Sequence, residues 1–413
     1  MDSEKRPRFL LIGLAYLGFI SLGLPDGLLG IAWPSIRASF ALPVDALGAL
    51  LVMFTAGYLV SSFSSGRVLA RTGVGALLAL SCLATSVSLI GYALAPAWWV
   101  MLALAVLSGI GAGAIDAGLN TYAATEFSPR VVNWLHACYG IGATAGPVVM
   151  TSVLMSGRSW QSGYAIVGLW QLLLAACFAV TRKRWHSKKK ETARQESDDS
   201  SASARAVPAL ATLRLRAAWL SIAVFFVYAG IEASAGAWAY TLLTESRGVE
   251  MGAAGIWVSA YWGGLMAGRM LAGAIIGYSS VERLMRFAIL GAAAGALLVW
   301  LNAADAITLA GLVLIGLALA PVFPSLIATT PARLGPRHTA NAVGFQIAAA
   351  VLGASLVPAA IGVLAGSLGL EAIAPGLFVA AALLLSLYEL LMLASARRAR
   401  IDVELISRET NSI

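Results

Sequence analysis

Charged side chains are scarce in this chain. Asp, Glu, Lys and Arg make up 12% of its 413 residues, against 59% hydrophobic. A water-soluble fold of that length could not cover its surface with so few, so an aqueous globular protein is excluded. Cysteine and histidine number three each. Cys82, Cys138 and Cys177 all fall in apolar runs without metal-ligand spacing, so they read as small core residues and imply no disulfide framework. There is no G-x-S-x-G and no H-E-x-x-H, and no paired metal-ligand cluster, so the sequence carries no enzyme signature and calls for no metal and no cofactor. The first apolar run is too long for a cleavable leader and lacks a small-residue cleavage site after a short core.

What the chain does have is apolar length. About twelve runs of roughly 20 residues each can cover a hydrocarbon core of ~30 Å. They cover 9–34, 46–66, 74–95, 98–125, 132–156, 161–181, 214–244, 252–278, 284–303, 306–330, 339–366 and 372–396. One long polar stretch around KKKETARQESDDSSASAR divides them six and six. The expected organisation is an N-terminal six-helix bundle over 1–181, a cytoplasmic linker over 182–213, and a C-terminal six-helix bundle over 214–413. The net charge of +8 does not point to nucleic acid. Threading the spans puts Lys5, Arg6, Arg8, Arg67, Arg71, Arg130, the linker cations, Arg283, Arg286, Arg333 and Arg337 on one side, and only Arg37, Arg158 and Arg247 on the other. That asymmetry predicts both termini in the cytoplasm, with the basic surplus facing anionic lipid.

Within these runs sit charges that hydrocarbon tolerates poorly. Asp26, Asp116, Glu232 and Arg269 each interrupt an apolar run. A charge at the bilayer centre costs ~3 kcal/mol or more by insertion scales, so such groups usually line a polar path or site. Pro25 and Gly27 flank Asp26, which predicts a carboxylate presented at a helix kink or a helix break capped by that carboxylate. Asp116 and Asn120 share a helix face, and Gly109, Gly111 and Gly113 before them suit close helix packing rather than phosphate binding. Asn133 and His136 lie one turn apart. Asp116 has Arg269 or His136 as its expected partner, and proton coupling is assigned to Asp116, Arg269 and His136. Carboxylates and amides bond hydroxyls and indole faces stack on sugar rings, so Asp26, Asn120, Asn133, Glu232, Trp238, Tyr261, Trp262 and Gln346 form the candidate substrate set.

The halves echo each other, with Gly23-Leu24-Pro25-Asp26 against Gly230-Ile231-Glu232 and Gly-rich stretches at 56–66 and 263–273. Two six-helix repeats related by an axis along the membrane normal, with a site between them, is a known transporter plan. The twelve spans, the basic central loop and Gly66-Arg67…Arg71-Thr72-Gly73 resemble the major facilitator superfamily, although the aspartate usual in that loop is missing. GIGAGAIDAGLN (109–120), NWLHACYGIGATAGP (133–147), YAGIEASAGAW (228–238) and YWGGLMAGR (261–269) resemble its fucose-permease-like branch of sugar–proton symporters. The resemblance implies an all-α membrane protein with twelve transmembrane helices in two pseudo-symmetric bundles. It also implies a rocker-switch mechanism, a coupling acid at Asp116 and a substrate-side acid at Asp26. The expected function is proton-coupled import of a sugar or sugar-like polyol by a monomer in the bacterial inner membrane. The alternative is proton-driven export of amphipathic drugs or metabolites.

Overall fold

A computed structural model describes residues 5–185, 207–275 and 280–410. Every regular element among them is helical. The N-terminal half comprises α1 (Lys5–Phe40), α2 (Ala46–Thr72), α3 (Val74–Leu94), α4 (Trp98–Glu126), α5 (Pro129–Met155) and α6 (Trp160–Thr181). The C-terminal half comprises α7 (Arg216–Thr241), α8 (Met251–Ile275), α9 (Val281–Leu301), α10 (Asp305–Leu319), α11 (Val322–Leu334), α12 (Pro336–Leu368) and α13 (Ile373–Thr410). Eleven stretches of the described residues are long and apolar enough to cross a membrane, with α10 and α11 together forming one of them. The 25-residue α8 is the remaining helix of the twelve-span pattern.

Prolines decide where these helices hold and where they break. Pro25 lies inside α1, which nevertheless runs unbroken to Phe40. A proline at position 25 leaves the carbonyl of Ser21 without its helical donor. The side chain of Gln171 on α6 fills the gap, donating from Nε2 to that oxygen at 3.0 Å. Asp26 is therefore not the cap of a broken helix. The tenth expected span does break: α10 stops at Leu319, and α11 starts at Val322 after Pro321. At the start of α8, Glu250 accepts hydrogen bonds from the N–H groups of Gly252 and Ala253, both at 2.9 Å. These donors hold its carboxyl below the usual range.

Within each half, small residues set the helix spacing. A Cβ on Gly109 of α4 would lie 1.9 Å from the carbonyl oxygen of Phe54 on α2. The counterpart in the second half is Gly353 of α12, where a Cβ would meet the carbonyl oxygen of Phe226 on α7 at 2.0 Å. Backbones this close leave no room for a side chain, which is how helices associate where lipid removes the hydrophobic drive.

The two halves meet along three seams. α1 crosses α7 where Gly30 faces the backbone of Gly236. α2 meets α12 where Gly48 packs on Ala359. α5 meets α8 through Ser259, whose hydroxyl donates to the carbonyl of Thr144 at 2.8 Å, and through Thr151 against Gly255. An ion pair between Arg37 and Glu245 at 2.6 Å closes the far end of the first seam. All these contacts lie toward the helix ends opposite the face that carries the chain termini. On the terminal face, Trp185 packs on Tyr122 and Phe178 of the first half. There too, Asn341 of α12 donates to the carbonyl of Val207 at 2.8 Å. Residues 186–206 of the expected linker lie outside the described residues.

Gly109→Val should destabilise the first half, since overpacking typically costs about 1–3 kcal/mol. Gly13→Ala should be neutral, because a Cβ there meets nothing within 4 Å. Thermal unfolding in detergent checks both: a lowered Tm for the first variant and an unchanged Tm for the second.

Candidate functional site

Both sequence-predicted acids of the first helix in each half sit one turn from the α1–α7 crossing. Asp26 precedes Gly30 by four residues, and Glu232 precedes Gly236 by four. Asp26 is exposed although Leu28 and Ile31 beside it are fully buried. Its Oδ2 accepts a hydrogen bond from the Tyr139 hydroxyl of α5 at 2.6 Å, and it lies within electrostatic range of Glu232. With α5 on one side and α7 across from it, the carboxylate faces the space between the halves and not lipid.

Glu232 is held from within its own half. The guanidinium of Arg269 on α8 donates to its two carboxylate oxygens at 3.3 and 3.4 Å. The Tyr228 hydroxyl, one turn earlier on α7, donates to Oε2, and the Tyr261 hydroxyl donates to the Glu232 backbone carbonyl at 2.7 Å. The two charged side chains keep 29% (Arg269) and 16% (Glu232) of their surface accessible, so the pair borders open space. Such a pair satisfies Arg269, which stays protonated in any environment a protein offers.

The third acid stands apart. Asp116 accepts from the Tyr58 hydroxyl of α2 at 2.7 Å and from Nδ2 of Asn120 at 2.9 Å. His136 on α5 is exposed, packs edge-on against Phe19 at 5.3 Å between centroids, and lies within electrostatic range of both Asp116 and Arg269. His136 thus lies within electrostatic range of Asp116 in the first half and Arg269 in the second, and Asp26 lies toward the seam.

Several expectations need correction. Arg269 pairs with Glu232 of its own half, not with Asp116, because Asp116 is already satisfied by Tyr58 and Asn120. Trp238 is fully buried, and its indole N–H donates to the carbonyl of Pro358 at 2.9 Å, so it ties α7 to α12 and does not line the site. Gln346 is equally sealed, its Nε2 donating to Ser221 at 2.6 Å and Thr330 at 3.1 Å. Tyr261 is fully buried and acts on Glu232 through the backbone. Trp262 is 5% exposed, and its ring edge lies against Gly236, one turn beyond Glu232. Its indole N–H has no acceptor among the described residues. The side chain of Asn133 lies outside the described residues. The residues missed from sequence are the phenols Tyr58, Tyr139 and Tyr228. Tyr228 was legible, at i−4 from Glu232. Tyr58 and Tyr139 reach their acids from other helices, which no spacing announces. Among the described residues no group of three His, Cys, Asp or Glu side chains is placed to hold a metal ion.

Twelve spans in two halves, with acids and a guanidinium inside them, define a multi-pass membrane transporter rather than an enzyme. Residues 15–241 match the Major Facilitator Superfamily, and the chain belongs to it. The chain is 22% identical over 356 residues to the glucose/mannose transporter GlcP of Bacillus subtilis, covering 84% of this chain and 86% of that one. It is 23% identical over 391 residues to a glucose/galactose transporter of Brucella abortus, covering 90% and 91%. Its fold matches the crystal structure of the nucleoside transporter NupG with a TM-score of 0.74 at 14% identity, over 93% of this chain and 99% of that one.

Arg269→Gln should leave the Glu232 carboxylate with the Tyr228 phenol alone. The expected destabilisation is on the order of 2 kcal/mol, below the roughly 3–5 kcal/mol of a fully buried pair because both partners retain accessible surface. Adding Glu232→Gln should restore most of it. Chemical denaturation of the two single variants and the double variant measures the coupling; additive losses would show that the pair does not stabilise the fold.

Proposed function

We propose that this protein is a secondary active transporter that carries a sugar or sugar-like polyol together with a proton, by alternating access, across the bacterial cytoplasmic membrane. The observation that carries the reading is the electrostatic chain from Asp26 to Glu232–Arg269 and from Arg269 through His136 to Asp116, which links the two halves, with a phenol donor on each acid. A polyol needs both donors and acceptors, and these groups supply both. The sugar-transporter names of two relatives that align along most of the chain support the substrate class, as does the resemblance of four segments to the fucose-permease-like branch.

The cross-half contacts run from Gly140 on Met266 near mid-span to the ends opposite the termini, where Arg37 pairs with Glu245. If the basic surplus marks the cytoplasm, this arrangement is open to the cytoplasm and sealed outside. Opening outward then requires separating Arg37 from Glu245 while the halves pivot where Gly30 meets Gly236.

Asp116 is the coupling acid in this reading. Its donors are the neutral groups Tyr58 and Asn120, which can hold it in either protonation state: an ionised carboxylate accepts two bonds, and a protonated one can return its O–H to the phenol or the amide oxygen. His136 is the adjacent group through which the proton reaches open space. Asp26 and the Glu232–Arg269 pair hold the solute. Asp116→Asn should abolish uphill accumulation while leaving sugar counterflow in proteoliposomes. A lumenal pH dye should report alkalinisation on sugar addition with the native protein and none with the variant. Uphill uptake by the variant at the native level would reject Asp116 as the coupling group.

A further inference from the structure

The two donors on Asp116 are not equivalent. Asn120 lies one turn along the same helix and offers Nδ2 to Oδ1 at 2.9 Å. An amide carries both N–H donors and an acceptor oxygen, so by turning over it serves an ionised carboxylate and a protonated one alike. Tyr58 comes from another helix, α2, and donates to Oδ2 at 2.7 Å. It has a single O–H, and its oxygen is a weaker acceptor than an amide oxygen because its lone pairs delocalise into the ring. The Tyr58 bond therefore favours the ionised form of Asp116, whereas the Asn120 bond favours neither form strongly.

The backbone that carries the Tyr58 hydroxyl is tightly held against the acid's own helix. A Cβ on Gly109 of α4 would lie 2.8 Å from the backbone nitrogen of Tyr58, and one on Gly113 would lie 2.7 Å from its carbonyl oxygen. These two glycines are one turn apart, and Gly113 precedes Asp116 by three residues. α2 thus touches α4 backbone to backbone at Tyr58, just before the acid that its side chain meets. Both helices belong to the first half, so a tilt of one half against the other leaves the bond in place. The helices around the pair bring few other charges. His136 of α5 is the titratable neighbour of Asp116 and is itself in range of Arg269. Asp26 of α1 lies within electrostatic range of the Tyr58 hydroxyl. α3, which also packs on α4, carries no charged side chain.

We propose that Tyr58 is a positioning residue for the coupling acid: its hydroxyl, held on Asp116 by the packing of α2 against α4, sets how readily Asp116 gives up its proton. This rests on the reading of Asp116 as the coupling acid and adds the group that tunes it. A carboxyl among hydrocarbon keeps its proton firmly, and a symporter must release that proton inside; a donor aimed at the ionised form loosens it. A Tyr58 that only tied α2 to α4 would contribute stability and leave the titration of Asp116 unmoved.

The test is infrared difference spectroscopy of the full-length protein in lipid, following the C=O stretch of protonated carboxyl groups against pH. The part of that signal lost in Asp116→Asn belongs to Asp116, and the His136 ring contributes none of it. Tyr58→Phe removes one oxygen and keeps the ring. In that variant the midpoint of the Asp116 signal should move up by about one pH unit, the scale of one hydrogen bond to a charged group. Replacing Tyr58 with 3-fluorotyrosine, a more acidic phenol of nearly the same size and so a stronger donor, should move the midpoint down. That second change leaves the packing intact, so the test stands even if the phenylalanine variant does not fold. A midpoint unmoved by the fluorinated residue, or unmoved in Tyr58→Phe, would overturn the inference and leave Asp116 as the coupling acid. The absence of any Asp116 signal across the pH range in which the protein stays folded would overturn both.

Discussion

A carboxylate placed among hydrocarbon must find donors, and the architecture of this protein is arranged around meeting that demand three times. Each of Asp26, Asp116 and Glu232 receives a phenol hydroxyl, from Tyr139, Tyr58 and Tyr228. A phenol is a suitable donor in such a place. It is neutral, its ring packs with the apolar face of a helix, and only its hydroxyl is polar. The acids therefore survive without a charged partner for each, which leaves two of the three free of arginine. A membrane protein that paired every acid with a guanidinium would be stable and inert. This one keeps part of its charge uncommitted.

The placement of these groups follows from backbone contacts rather than from the side chains. α1 can carry Pro25 through the membrane because Gln171 takes over the carbonyl that the proline frees. α1 can approach α7 because Gly30 and Gly236 offer no side chains at the crossing. Helix spacing inside each half follows from Gly109 and Gly353 in the same way. These polar groups are thus placed by contacts that are mostly apolar or purely backbone.

The helical plan was legible because hydrocarbon imposes a length, and twelve runs of that length divide about one polar stretch. The boundaries of most helices followed, and the break at Pro321 is the exception, where a run apolar from end to end hid two helices. The intramembrane acids and Arg269 were legible because hydrocarbon tolerates a charge only where it meets a polar partner or a polar path. The pairing of these groups was not. Arg269 lies on the helix after Glu232, and the choice between Glu232 and Asp116 depends on which side of α8 faces inward, a matter of packing. Trp238 and Gln346 show the opposite failure. Both have polar atoms at plausible depths, and both spend those atoms on Pro358, Ser221 and Thr330 within one half. An amide or an indole in a membrane helix looks the same in sequence whether it meets a solute or a neighbouring carbonyl.

The crossing of α1 and α7 has a mechanical consequence. If the halves tilt about the point where Gly30 meets Gly236, that point is a fulcrum, and displacement grows with distance from it. Asp26 and Glu232 lie four residues away, about 6 Å along each helix, whereas Lys5 lies 25 residues away, about 38 Å. A given tilt therefore moves the terminal end of α1 about six times as far as it moves either acid. Such a tilt leaves the spacing between the two acids nearly constant while the terminal end of α1 travels far.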